Sequence, residues 1–256
     1  MIKRIILQLL VDEKGIYLSR GFTKQYFCSI KDVNSLLKLD EMTSACDELL
    51  VQYVGTQYSD TFFKSLFSSD CLGGHFIPIT CGGRVKDYDQ MRAMLRLGAD
   101  KVVISSSLIN HPKQIMDLVD QFGSQAVVYP LQVKGYENIR SKCSYKSRGT
   151  VHTQSDLLSV IKVLNQTGVG EIIVYDIERD GSGTGYNEAL HQEVSAASKA
   201  QVIASGGEGK SSDISSVLKL DISGAAISNL FSFMGGGIQR ARYHAIEEGI
   251  NIVNWS

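Results

Sequence analysis

The chain has 256 residues, 43% of them hydrophobic, and a formal net charge of −1 at pH 7. A balance this close to neutral leaves no electrostatic footprint for nucleic acid, and no apolar run approaches the roughly 20 residues of a membrane helix. The apolar part of "MIKRIILQLLVDEKG" is too short for a signal peptide and lacks a small-residue cleavage site.

In chain order, strands are expected at 4–11 (RIILQLLV), 48–54 (ELLVQYV), 76–80 (FIPIT), 101–105 (KVVIS), 126–132 (AVVYPLQ), 171–176 (EIIVYD), 201–205 (QVIAS) and 224–228 (GAAIS). Helix-like segments lie between them at 32–45, 60–69, 87–97, 112–122, 154–167, 187–199, 211–219 and about 235–248. Strict alternation implies right-handed βαβ units and a parallel sheet. Near-continuous apolar strands imply cover on both faces. Eight units over 1–256 match an α/β fold, a (β/α)8 TIM barrel, which takes about 250 residues as one domain. A doubly wound open sheet is the alternative, but it does not require eight units. Longer polar segments follow strand 1 (12–31) and strand 5 (133–153), at the strand ends where such barrels keep lids and substrate contacts.

Cys28, Cys46, Cys71, Cys81 and Cys143 are scattered, odd in number and without CxxC spacing, the usage of reduced thiols in a cytoplasmic protein. His75, His111, His152, His191 and His244 show no metal-ligand spacing. No metal or cofactor is expected.

Two glycine signals stand four strands apart. "TCGGRVKD" (80–87) follows strand 3 and "IASGGEGK" (203–210) follows strand 7. Glycines let backbone amides approach an anion, and a helix N-terminus favours negative charge. Strand 4 ends in Ser105–Ser106 and strand 8 in Ser228–Asn229, so each glycine pair has short polar partners beside it. The halves read as two copies of a half-barrel. One phosphate site is expected at Gly82, Gly83, Arg84, Ser105 and Ser106, and a second at Gly206, Gly207, Ser228 and Asn229, joined by Asp180 and Gly181 from the loop after strand 6. The competing reading makes each pair a tight turn. Arg84 either binds the phosphate directly or fills the place where it would sit.

At the other end of the barrel, Arg4, Glu48, Lys101 and Glu171 open strands 1, 2, 4 and 6. Alternate strands contribute to one interior layer, so these mixed charges form either a ring across the floor or solvated strand ends that serve stability. Buried charges of this kind require mutual pairing.

With these pieces in order, the sequence resembles the HisF family, the cyclase subunits of imidazole glycerol phosphate synthase. The matching stretches are KRII (3–6), DELL (47–50), FIPIT-GG (76–83), LGADKVVIS (97–105), FGSQAVV (122–128), GEIIVYDIERDG (170–181), GYN (185–187) and VIASGGEGK (202–210). They run nearly end to end, although 12–46 matches poorly. In that family a glutaminase releases ammonia, which passes through the barrel to a bisphosphate ribulosyl substrate. Two aspartates, at the ends of strands 1 and 5, do the acid–base work. The corresponding positions are Leu10 and Gln132. Leucine transfers no proton, and glutamine has no useful pKa. A further acidic position aligns with Tyr53, and an expected lysine aligns with Ser19 or Arg20.

The resemblance also assigns roles to the floor. Arg4, Glu48, Lys101 and Glu171 align with a salt-bridge gate for ammonia, and Asp100 with an aspartate at the glutaminase interface. Asp180 and Gly181 match a substrate-contacting motif, though an Asx-type turn explains them equally. Asp176 is either a core hydrogen-bonding group or a ligand contact. The aromatic and Met residues of 229–243 pack the last helix, and Trp255 carries no signal.

The resulting expectation is a HisF-like subunit of a glutamine amidotransferase complex, partnered by a HisH-like glutaminase. It would serve a third enzyme that amidates a sugar in surface-polysaccharide synthesis, with a phosphate-bearing small molecule as ligand. The alternative is the cyclase of histidine synthesis itself; a third reading is a phosphate-binding scaffold.

Overall fold

A computed structural model describes residues 1–29, 45–68, 77–136, 142–147, 150–228 and 236–254, with 142–147 and 150–155 described through their backbone. Its strands are β1 (Arg4–Asp12), β2 (Gly15–Arg20), β3 (Thr23–Cys28), β4 (Glu48–Tyr53), β5 (Ile79–Val85), β6 (Lys101–Ile104), β7 (Val127–Val133), β8 (Lys142–Ser147), β9 (Thr150–Asp156), β10 (Glu171–Asp176), β11 (Gln201–Ser205) and β12 (Gly224–Ile227). The helices are α1 (Asp60–Ser68), α2 (Tyr88–Leu97), α3 (Pro112–Phe122), α4 (Leu157–Thr167), α5 (Glu188–Ala197), α6 (Ser211–Leu218) and α7 (Gly237–Glu247). The helix expected over 32–45 lies outside the described residues.

Parallel pairing runs β1–β4–β5–β6–β7–β10–β11–β12, and β12 returns to β1. The sheet is therefore a closed eight-stranded barrel with alternating helices, a (β/α)8 barrel. Period-2 alternation splits its side chains into two populations. One, including Leu7, Leu49, Val102, Ile172 and Ile227, packs outward against the helices. The other fills the interior: Ile6, Leu50, Val103, Val128, Ile173, Ile203 and Ala226, with Tyr175 above them.

Glycine matters where the interior crowds. Gly224 lies opposite Arg4 in the β1–β12 register. A Cβ there would stand 3.0 Å from the Arg4 carbonyl oxygen and 3.3 Å from the Arg4 Cβ. The missing side chain leaves room for the arginine on the barrel floor.

Two segments read from the sequence as loops contain antiparallel hairpins. β2 and β3 pair through 16–28, and β8 and β9 through 142–156. The first closes on a two-residue turn, Gly21 (φ 57) and Phe22 (φ 62). Positive φ at both central residues matches the twist of a hairpin, but Phe supplies no sequence signal for it. The strand expected at 76–80 instead runs Ile79–Val85, through both glycines, with 76 outside the described residues. At Gly83–Arg84 it bulges against β6, because Gly82 pairs with Val103 and Val85 with Ile104. The helix expected from 154 starts at Leu157, where the Asp156 carboxylate caps the Ser159 amide at 2.9 Å.

Candidate functional site

The strand C-termini surround a cavity of about 730 Å³. Leu10, Gly83, Arg84, Ser105, Ser106, Gln132 and Asp180, from sites expected apart, all line it. Leu10 and Gln132 occupy the mouth, both half-buried. Leu10 is in register with Gln52, and Gln132 with Tyr175. The Gln52 amide donates to the Tyr175 hydroxyl at 2.7 Å, a bond that crosses the barrel between the opposite strands β4 and β10. Burial pushes the Tyr175 phenol well above its ordinary pKa, and it stays protonated at neutral pH.

Among the described lining residues, Asp180 is the one carboxylic acid. It pins the first hairpin to the loop after β10. Its Oδ2 accepts the Ser19 hydroxyl at 2.5 Å and the Phe22 amide at 2.8 Å, and its carbonyl accepts the Gly21 amide at 3.0 Å. Gly181 is required there, because a Cβ would stand 2.1 Å from the Ser19 carbonyl oxygen. Burial raises the Asp180 pKa, against the lowering effect of the two hydrogen bonds to Oδ2. The Phe22 ring packs edge-on against Tyr175 at 5.9 Å. These contacts hold a non-glycine residue in the left-handed region, which costs about 1–2 kcal/mol.

Among the described residues, Arg84 is the second non-glycine with positive φ (61°). Its Nε donates to the Gly55 carbonyl at 2.7 Å, and the residue still lines the cavity. Gly82 and Gly83 have packing reasons of their own, since a Cβ would stand 2.5 Å from the Val103 Cβ at Gly82 and 2.5 Å from the Tyr53 Cβ at Gly83. Tyr53 donates its hydroxyl to Glu13. Ser19 lines the cavity, whereas Arg20 is exposed at the hairpin end.

Gly206 and Gly207 both adopt positive φ, 96° and 113°. They pack tightly: a Cβ would stand 2.8 Å from the Asp176 carbonyl oxygen at Gly206 and 2.2 Å from the Gly185 carbonyl oxygen at Gly207. The Ser228 amide donates to Glu208 Oε1 at 2.6 Å. Asn229 lies outside the described residues. Asp176 is buried and organises its own turn, accepting the Glu178 amide at 3.0 Å and the Asn187 side-chain amide at 3.1 Å.

The floor carries a closed ring of four charges. Arg4 reaches Glu48 at 2.6 Å and Glu171 at 2.8 Å. Lys101 reaches both carboxylates at 3.0 Å. Thr80 adds a hydroxyl to Glu48, and Ser223 adds one to Arg4 at 3.1 Å. Two cations and two anions alternate, so each half-buried or buried charge has two opposite neighbours. Asp100, beside Lys101, is exposed and accepts the Ile79 amide at 2.7 Å. Sequence reasoning assigned no role to Glu208, Phe22 or Tyr175: Glu208 sits within the second glycine motif and Tyr175 within strand 6, but only the folded chain brings them to their partners.

A closed (β/α)8 barrel with a cavity at the strand C-termini and a paired charge cluster beneath defines the class. Residues 69–239 match the protein family described as histidine biosynthesis protein. The imidazole glycerol phosphate synthase subunit HisF of Natranaerobius thermophilus is 34% identical over 182 residues, covering 69% of this chain and 70% of that protein. The same-named protein of Limosilactobacillus fermentum is 35% identical over 182 residues, covering 71% and 69%. That of Dictyoglomus turgidum is 29% identical over 224 residues, covering 86% and 87%. The chain belongs to the histidine biosynthesis protein family and is HisF-like. Among the described residues, no helix is long and apolar enough to cross a membrane.

Proposed function

We propose that this chain is the ammonia-receiving subunit of a glutamine amidotransferase complex, with the family's cyclase chemistry lost. The observation that carries the reading is the cavity lining: Leu10 and Gln132 stand at the mouth, and its one carboxylic acid among described residues, Asp180, is engaged in holding the hairpin. Cyclisation needs a proton donor and acceptor poised near the operating pH, and neither position supplies one. The floor ring retains the charges expected of an ammonia gate. The interior directly above it includes the apolar residues Ile6, Leu50, Val103, Val128, Ile173, Ile203 and Ala226. Such a lining tolerates neutral ammonia and rejects ammonium, whose burial without a partner is costly. In this reading a HisH-like glutaminase docks over the ring beside Asp100. Ammonia leaves at the cavity for a sugar-amidating enzyme of surface-polysaccharide synthesis, and Arg84, Ser105 and Ser106 offer a place for a phosphate-bearing ligand.

The second reading, the cyclase of histidine synthesis, is favoured by the names of the relatives. One assay separates the two: the purified chain with ammonia and the bisphosphate ribulosyl substrate, followed by ultraviolet absorbance. The amidotransferase reading expects no turnover; a rate on the order of 1 per second would establish the cyclase. Its positive counterpart is transfer of label from amide-15N glutamine to a sugar acceptor in the reconstituted complex.

A further inference from the structure

In barrels of this class, the loops after the seventh and eighth strands are a recurrent phosphate site. Here those strands are β11 and β12. The ingredients are present: Gly206 and Gly207 in left-handed conformations, α6 beginning at Ser211, and the amide of Ser228 just past β12. Three of the loop amides, however, already have acceptors from within the chain. Glu208 Oε1 takes the Ser228 amide at 2.6 Å, in the short range of charge-assisted bonds. Asp213 Oδ2 takes both the Gly209 and the Lys210 amides at 3.0 Å. Glu208 is 5% exposed, so its carboxyl is held inside the loop cluster and does not extend into water.

From this geometry we infer that Glu208 is a built-in anion: its carboxylate fills the β11/β12 anion site and bars a phosphate from it. A phosphate bound to the Ser228 amide would have to displace a buried carboxylate or sit beside it. Two like charges in contact repel each other at the effective dielectric of a protein surface. The barrel would then select ligands without a phosphate at the β11/β12 end and reject a ligand phosphorylated at both ends. This inference stands apart from the proposed loss of cyclase chemistry, because it concerns binding and involves neither Leu10 nor Gln132.

The test is a titration of the 15N-labelled full chain with inorganic phosphate, following the Ser228 and Gly207 amides. In the wild-type protein the Ser228 resonance should not respond; a saturable shift there overturns the inference without any variant. Glu208→Ala should open the site, giving a saturable shift at Ser228 and phosphate affinity at least about tenfold above wild type. If Glu208→Ala does not fold, Glu208→Gln retains the shape and removes the charge, and should gain affinity in the same direction. Equal phosphate binding by wild type and a folded variant, or no gain in either variant, overturns the inference.

Discussion

Arg4 and Glu171, 167 residues apart in the chain, meet at 2.8 Å on the barrel floor. The same carboxylate also receives Lys101 at 3.0 Å, so removing the lysine leaves two acidic side chains facing one arginine. Glu48 and Glu171 are 3% and 8% exposed in their side chains. Breaking a buried pair from one side costs about 3–5 kcal/mol, and the partial exposure of Lys101 places this case at or below the lower end. Lys101→Ala should therefore lose about 3 kcal/mol in urea unfolding yet remain folded at 25 °C. A loss within about 0.5 kcal/mol would mark the ring as solvated strand ends that act independently.

If the ring gates ammonia, the same substitution should also uncouple the complex. The ratio of amidated product to glutamate released should fall in Lys101→Ala relative to wild type, with the glutaminase still bound. Equal ratios at full binding would remove the gate while leaving the ring as a stability device.

The hairpin after β1 offers a separate test. Asp180 holds the Ser19 hydroxyl and the Phe22 amide, and Asp180→Ala leaves both without their acceptor. A lost hydrogen bond at such a position costs about 1–3 kcal/mol. The strain at Phe22 then goes uncompensated, and β2–β3 should open locally before the barrel does. Hydrogen exchange should speed up at the Tyr17–Tyr26 and Leu18–Gln25 pairs and leave β10 and β11 protected. Unchanged exchange in the hairpin would show that β1–β2 pairing alone secures it.

The barrel was legible in the sequence because eight apolar runs alternate with helical segments, and burial on both faces forces that pattern. The floor ring was only half legible: charges opening four apolar strands fitted a paired ring or solvated strand ends equally, and the family resemblance favoured the ring. The hairpins were not. Gly21–Phe22 lacks the Asn-Gly or Asp-Gly signature of a two-residue turn, and its stability comes from Asp180, far away in the chain. Gly82–Gly83 read as a phosphate loop, but crowding by Val103 and Tyr53 explains the pair as well. That crowding depends on the barrel register, which no local pattern reveals.

His191 gives the fold a pH dependence. The ring is fully buried, with Nδ1 2.7 Å from the Asn187 carbonyl and Nε2 3.4 Å from the Val174 carbonyl. Burial lowers its pKa, outweighing the two carbonyls and Asp176, while Arg179 adds to the lowering. The folded imidazole therefore stays neutral where the unfolded one takes up a proton. Its stabilising contribution is complete above about pH 6.5 and falls as pH drops toward the folded pKa, by up to about 1.4 kcal/mol per pH unit. Urea unfolding between pH 7.5 and 5, on the order of two units around the ordinary His value, should show this loss. His191→Gln should flatten the slope by about one proton; an unchanged slope would assign it to the carboxylates.

Restoring the missing acids tests how far the site has departed from cyclase chemistry. Leu10 and Gln132 line the cavity without full burial, so Leu10→Asp with Gln132→Asp should fold. General acid–base groups contribute about 10²–10⁴-fold, and the double variant regains the groups but not their setting. Gln52 and Tyr175 remain bonded across the mouth, and Glu208 still holds the Ser228 amide. Turnover of the bisphosphate ribulosyl substrate should stay at least about 10²-fold below an ordinary rate of 1 per second. Adding Glu208→Ala should improve substrate affinity without raising the chemical step, which single-turnover absorbance measurements at saturating substrate can separate. Full activity in the double variant would mean that the two aspartates alone were missing and that the β11/β12 loops still accept phosphate.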